Sequence, residues 1–397
     1  MADTKNVKNS NSPDLRFPGF TEPWQKIRLG DNCTIQMCKR IFTNQTSEVG
    51  EVPFFKIGTI GGSPDAFISR ELFEEYRTKY NYPTEGEVMI TCAGTVGKTM
   101  QFDGTDSYFQ DSNIVWIHNP NRLTINDFLF YVFGKINWSK LNSTTITRIY
   151  NDDLRNLIYF APENVAEQKK IVSLLRLIDE RIATQRRLIE KLETLIKGIV
   201  VYHFNGCNTK RTIAIKDLGK AYSVGNLSKE DLTESGEQCI IYGELFTTYG
   251  CVAREIQSRT SKYNQSTLSR YGDLLFPAST TVNAISLIAP TSLQADGIYV
   301  AGDMFGIHIS PQFNSVYISY LLNYVYYKKL SKYAQGSTII HLHYADIKNT
   351  TIQIPCLEEQ NKCAELFEAL QTKHDVAKQL IDNYQLQKNY LLRQMFK

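Results

Sequence analysis

From Ile171 onward, apolar residues recur at alternating steps of four and three: Ile171, Leu175, Ile178, Ile182, then Ile189, Leu192, Ile196 and Ile199, with Gln185 as the one polar interruption. That spacing is a heptad seam, a single stripe along a helix. A second, less pure seam runs Cys363, Phe367, Leu370, His374, Ala377, Ile381, Tyr384, Lys388, Leu391 and Met395. The stripe is narrower than the face with which a helix usually covers its own domain, so it predicts a helix–helix pair. In an antiparallel pair centred on both helices, Gln185 would lie near His374, a polar contact able to fix register. Ahead of each helix lie short β-branched or aromatic runs bounded by Gly, Pro or Asp, the pattern of strands. They fall at 53–60, 87–93 and 112–118 in the first half, with a helix over 126–139. In the second half they fall at 239–243, 273–277, 298–300 and 304–309, with a helix over 315–329.

The two halves repeat one another at an offset near 190. Ser143-Thr144-Thr145-Ile146-Thr147-Arg148-Ile149-Tyr150 parallels Ser337-Thr338-Ile339-Ile340-His341-Leu342-His343-Tyr344, and Asp152 then parallels Asp346. Leu154 to Pro162 runs beside Ile347 to Pro355, and Glu167-Gln168 beside Glu359-Gln360. Upstream, Gly86-Glu87-Val88-Met89-Ile90 resembles Gly272-Asp273-Leu274-Leu275-Phe276, and Leu29-Gly30 resembles Leu218-Gly219. An ordered series of matches marks a duplicated unit. The chain accordingly divides into a polar N-terminal tail (1–20), an α/β domain (21–162), a long helix (163–205), a second α/β domain (206–355) and a second long helix (356–397).

Composition narrows the function. The 397 residues are 42% hydrophobic and 21% charged, a globular balance. Lys plus Arg total 44 against 41 Asp plus Glu, a net charge of +3. A histone-like polycation is excluded, whereas a local basic patch is not. No apolar run reaches the roughly 18 residues of a membrane helix, and the polar start offers no signal-peptide core, so a cytoplasmic protein is expected. The eight cysteines (Cys33, Cys38, Cys92, Cys207, Cys239, Cys251, Cys356, Cys363) are scattered without a C-x-x-C pair. They read as reduced thiols, with no metal site.

Catalytic motifs fail one by one. Cys92-Ala93-Gly94-Thr95-Val96-Gly97-Lys98-Thr99 lacks the first glycine of a phosphate-binding loop and precedes a poor helix start. An exposed turn is the better reading. Asn119-Pro120-Asn121-Arg122 is not the tetrad of an amino-methyltransferase, and Pro64-Asp65 has no nuclease partner motif. His341 and His343 share a face without a carboxylate or cysteine beside them. A binding protein with duplicated reading heads remains.

In this layout the chain resembles the specificity subunit of type I restriction-modification systems, over nearly its whole length. The marks are Leu15-Arg16-Phe17-Pro18-Gly19-Phe20 with Trp24 and Leu29-Gly30-Asp31. Gly86-Glu87-Val88-Met89-Ile90-Thr91 with Gly94-Thr95-Val96-Gly97 follows, then Ser143-Thr144 through Pro162. Glu167-Gln168-Lys169-Lys170-Ile171-Val172 opens the helix, and Glu359-Gln360 repeats that mark. One departure is Ala278-Ser279-Thr280-Thr281 in place of the glycine turn. The resemblance implies an α+β fold, with two pseudo-repeated α/β target recognition domains separated by a long antiparallel coiled-coil helix pair. Each domain would read one half of a bipartite site in double-stranded DNA. The helices, about 57 Å for residues 163–200 at 1.5 Å per residue, would set the gap. They would also dock two adenine-N6 methyltransferase subunits, with two restriction/translocase subunits completing the enzyme. The chain itself would be non-catalytic and hold no cofactor. S-adenosylmethionine, ATP and Mg2+ would belong to the partner subunits.

Base reading needs side chains of fixed donor and acceptor geometry, with Lys, Ser and Thr commonly on phosphates. The candidates in the first domain are Lys39, Arg40, Lys56, Thr95, Lys98, Thr147, Arg148 and Tyr150. Those in the second are Arg254, Arg259, Lys262, Thr280, Thr281, Asn283, His341 and His343. Two other functions fit parts of the pattern. A coiled-coil protein-binding adaptor would show no salt-dependent DNA affinity. An enzyme with its own nuclease or methyltransferase centre would be active as the isolated chain.

Overall fold

A computed structural model describes residues 11–138, 148–262 and 267–397. It divides into two units, Met1–Thr184 with Leu380–Lys397, and Gln185–Gln379.

The first unit is built on Val88–Thr91, a strand whose four residues are all buried. Strands alternate faces, so a strand buried throughout needs a core on each side. Val88 and Ile90 join one core with Trp24, Phe128 and Tyr159, while Met89 joins another with Phe54, Phe73 and Trp116. The sheet order is Thr34–Gln36, Ile114–His118, Val88–Thr91, Thr99–Gln101, antiparallel throughout. A three-stranded sheet orders Phe67–Ile68, Val52–Phe55 and Tyr108–Phe109, the latter two parallel. Gln25–Arg28 pairs with Ile158–Ala161. The predicted strand at 53–60 thus stops at Phe55, and the helix expected over 126–139 ends at Lys135. A helix at Arg70–Lys79, capped by Ser69 Oγ accepting from Leu72 N, was not expected from the pattern.

The second unit repeats the plan. Asp273–Pro277 is buried throughout, with Leu274 and Phe276 in one core and Leu275 in another. Its sheet runs Gly219–Ser223, Met304–Ile309, Asp273–Pro277, Thr291–Leu293, Val252–Ala253. Arg211–Ala214 pairs with Thr351–Ile354, as Gln25–Arg28 does with Ile158–Ala161. The helix over 315–329 is present with a π-helical turn at Leu322–Tyr326.

The long helices are Val165–Gly206 and Leu357–Met395. Their seams are buried as the spacing requires, and they do double service. In the first unit Ile171, Leu175, Ile178 and Ile182 lie in the same core as Trp24 and Phe128, together with Leu391, Leu392, Met395 and Phe396. Ile381 and Tyr384 pack against that core. In the second unit Ile196 and Phe367 join the domain core, Leu370 packs on it, and Leu192 is buried. Ile189 is half-buried. Within the first unit Asp179 meets Lys388 and Arg181 meets Tyr384. Within the second, Glu193 meets His374 and His203 meets Glu359. In both units one helix ascends as the other descends, an antiparallel pairing. The expected Gln185–His374 contact is not formed. His374 Nε2 instead lies 3.2 Å from Glu193 Oε1, and Gln185 Oε1 is buried without a partner among the described residues. The register is offset from a centred pairing because the domain cores, not helix midpoints, fix it.

Candidate nucleic-acid interface

The repeated motifs divide into those that hold the scaffold and those that crown it. Gln168 is buried. Its Oε1 accepts from Ile125 N at 2.8 Å, and its Nε2 donates to Leu123 O and Pro162 O. Gln360 repeats this, accepting from Asn314 N at 2.9 Å and donating to Pro355 O. Each glutamine therefore ties the start of its long helix to the segment entering the preceding helix. Glu167 is also buried and takes Arg16 through two bonds of 2.6 and 2.8 Å, with Trp24 Nε1 at 3.3 Å. Leu15 N donates to Gln394 O, so residues 15–17 of the presumed tail belong to the first unit. Glu87 and Asp273, at the head of the central strands, are buried against His118 and His308, both at 2.7 Å. These repeats are structural.

The segments bearing Arg148 and His341 crown the central strands. Ile149 N donates to Cys92 O, and Leu342 N to Ala278 O, each at 2.9 Å. Tyr150 N donates to Asp153 and His343 N to Asp346. The true equivalences are thus Arg148 with His341, Tyr150 with His343 and Asp153 with Asp346. The sequence alignment of this segment was one residue out. It crowns the strands because Cys92 and Ala278 are the buried residues that directly follow the strand ends Thr91 and Pro277, where the ladder is exhausted and the next carbonyl needs a partner.

In the first domain two candidates, Arg40 and Arg148, bond to the turn at 110–113. Arg40 Nε donates to Asp111 Oδ2 at 2.9 Å, Arg148 Nη2 to Ser112 O at 3.4 Å, and Ile57 N to Gln110 Oε1. Lys56 pairs with Asp65 at 2.9 Å, and Lys39 lies over the Tyr80 ring. Thr95 is exposed on the turn joining Val88–Thr91 to Thr99–Gln101, and opens no helix. Gly97 there has φ +82°, and a Cβ on it would lie 2.1 Å from Trp138. Lys98 Nζ holds Ile60 O. Tyr150 is exposed beside Arg148. Thr147 lies outside the described residues.

The second domain gathers fewer. Ser279–Thr280 pairs with Ile340–His341, and the His341 and His343 rings stack at 6.1 Å. Thr281 and Asn283 are exposed on the adjoining loop, with Asn283 Oδ1 accepting from Ser286 N. The other three candidates lie elsewhere. Arg254 pairs with Glu368 of the C-terminal helix at 2.5 Å. Arg259 Nη1 donates to Gly236 O. Lys262 holds Asp231, whose carboxyl it pulls down to about 2. Arg259 therefore belongs to a second five-stranded sheet, Leu232–Thr233, Arg259–Thr260, Glu237–Ile241, Tyr299–Ala301 and Thr267–Leu268, and Lys262 follows its strand by two residues, away from the crown.

Sequence reasoning missed Asp111 and Ser112. Ser112 has φ +55°, unusual for a residue with a Cβ. The strand expected over 112–118 begins only at Ile114, so Ser112 lies in the turn rather than in the strand. Burial raises the thiols of Cys33 and Cys38 to about 11 and about 12. Among the described residues no group of His, Cys, Asp and Glu could hold a metal, and no helix is long and apolar enough to cross a membrane.

The model of the type I restriction modification DNA specificity domain matches the chain twice, over residues 21–194 and 209–383, and the chain belongs to that family. A relative in Haemophilus influenzae, named as a candidate type I restriction enzyme specificity subunit, is 49% identical over 149 residues. That match spans 38% of this chain and 38% of the relative. Among solved structures, a type I restriction-modification S subunit from M. genitalium superposes with a TM-score of 0.63 at 15% identity, over 97% of this chain and 99% of that one. A second structure, described as concerning complex assembly and conformational transition of the type I system, gives 0.51 at 16%, over 96% and 98%. At these identities the two structures speak to the fold.

Proposed function

We propose that this chain is the non-catalytic DNA specificity subunit of a type I restriction-modification enzyme, each α/β domain reading one half of a bipartite site. The observation that carries this is the coincidence of two specificity-domain matches with a repeat that puts polar and aromatic side chains, Arg148 with Tyr150 and His341 with His343, at the same strand end in each half. Phosphate-holding and base-reading groups of this kind are what duplex recognition requires. The two long helices would set the gap between half-sites and dock two adenine-N6 methyltransferase subunits. Leu188, Leu195 and Tyr202, exposed at heptad steps on the central helix, support a protein-binding face there. Two restriction/translocase subunits would join the same assembly. S-adenosylmethionine, ATP and Mg2+ would be used by those partners in the cytoplasm. The test is a methylome of cells with and without the gene. A split motif carrying methyladenine in both halves, lost on deletion, is the expected result. A continuous motif, or none, overturns the proposal.

A further inference from the structure

The four arginines among the candidate readers are not equivalent. Arg148 gives Nη2 to Ser112 O, Arg254 gives Nη2 to Glu368, and Arg259 gives Nη1 to Gly236 O. Arg40 is held through Nε, by Asp111 at 2.9 Å, and among the described residues no protein group bonds its Nη1 or Nη2. Its backbone is anchored by Cys38 and Ile41, both buried, while its side chain is exposed. Asp111 is held in turn. It lies on the turn with Ser112 at φ +55°, Gln110 N donates to Phe55 O at 2.9 Å, and Asn113 N donates to Asp111 O at 2.6 Å. Arg40 and Asp111 line a pocket of about 280 Å³ together with Lys56, Gln110 and Asn113.

A guanidinium fixed at Nε presents its two terminal nitrogens as a planar fork. Guanine is the base whose major-groove edge offers two adjacent acceptors, O6 and N7, to such a fork. Adenine replaces one acceptor with a donor, and the pyrimidines offer no matching pair. Holding the fork before DNA arrives removes part of the ordering cost of binding. We propose that Arg40, positioned by Asp111, reads the guanine of one G·C pair in the half-site of the first domain. This rests on the DNA-reading function above and adds a residue, a positioning partner and a base to it.

The test expresses the full chain with its methyltransferase subunits and maps methyladenine in genomic DNA for wild type, Arg40→Ala, Arg40→Lys and Asp111→Asn. Purified complexes confirm assembly of each variant. Wild type should give a bipartite motif with a fixed G·C pair in one half. Arg40→Ala should make that one pair degenerate, with discrimination falling roughly ten- to a hundred-fold, and leave the other half unchanged. Arg40→Lys should restore it only in part, because an ammonium can reach O6 and N7 but lacks the Nε by which Asp111 holds the fork. Asp111→Asn should relax the same pair, less completely. A uniform loss of methylation without degeneracy makes Arg40 a phosphate contact and overturns the inference. So do degeneracy at different pairs in the Arg40 and Asp111 variants, and a variant that fails to assemble while Arg40→Lys keeps the wild-type motif. Absence of any bipartite motif in wild type sinks the DNA-reading function itself, a result distinct from these.

Discussion

At the scale of single residues, the repeated glutamines show how a sequence signal can be structural rather than functional. Gln168 uses both ends of its amide, one accepting and two donating bonds, all in a buried setting. Gln168→Ala leaves the Ile125 N–H and two carbonyls without that partner, and should lower stability by about 2 kcal/mol. Gln168→Glu should lower it further, because a carboxylate would face two carbonyl oxygens it cannot bond. Denaturant midpoints with unchanged slopes would measure both, and a Glu variant as stable as wild type would refute the account. Such roles were legible only as a repeated Glu-Gln pair, since their partners lie outside the motif. Arg40 was visible in the same limited way. Its basic character is in the sequence, but the carboxylate that aims it is 71 residues away, and nothing local announces the pairing.

At the scale of elements, the helix seams were the most legible feature because burial and period coincide over many turns. Register was not legible, since it depends on where each domain core grips its helix. The helix Arg70–Lys79 escaped notice because its charged residues outnumber its core contacts, leaving Phe73 as its one buried residue and the Ser69 cap as the available signal. The seam's buried His374 makes a separate prediction. It faces Glu193 and Lys197 on the central helix, and Asp375, Lys378 and Gln371 on its own. Asp375 first, and then Glu193, raise its pKa above the usual 6.5 against the opposing effect of burial. The folded state therefore binds the proton more tightly than the unfolded chain. That increment of stability is complete below the unfolded value and disappears as pH rises through the raised folded value. The denaturation midpoint should fall as pH rises from below the ordinary histidine value of 6.5 to above the raised folded value, and His374→Leu should flatten that fall. Parallel profiles for the two proteins would show that His374 does not contribute.

At the scale of the whole molecule, a net charge of +3 sits oddly with duplex binding until the ion pairs are considered. Lys56, Arg254 and Lys262 are each matched to a carboxylate within the chain, and Arg40 is matched through Nε. Such pairing lowers the field that these four side chains would otherwise offer to phosphates. Specific contacts such as a guanidinium fork add discrimination without a large salt term. If partner subunits supply much of the phosphate contact, the dependence of affinity on salt should be shallow for the chain alone and steeper in the assembly. Each added phosphate contact should increase the slope of log K against log salt by about 0.9. Titrating labelled duplex with the chain, and with the chain plus methyltransferase, over a series of salt concentrations measures that difference. Equal slopes would place the whole phosphate grip on this chain.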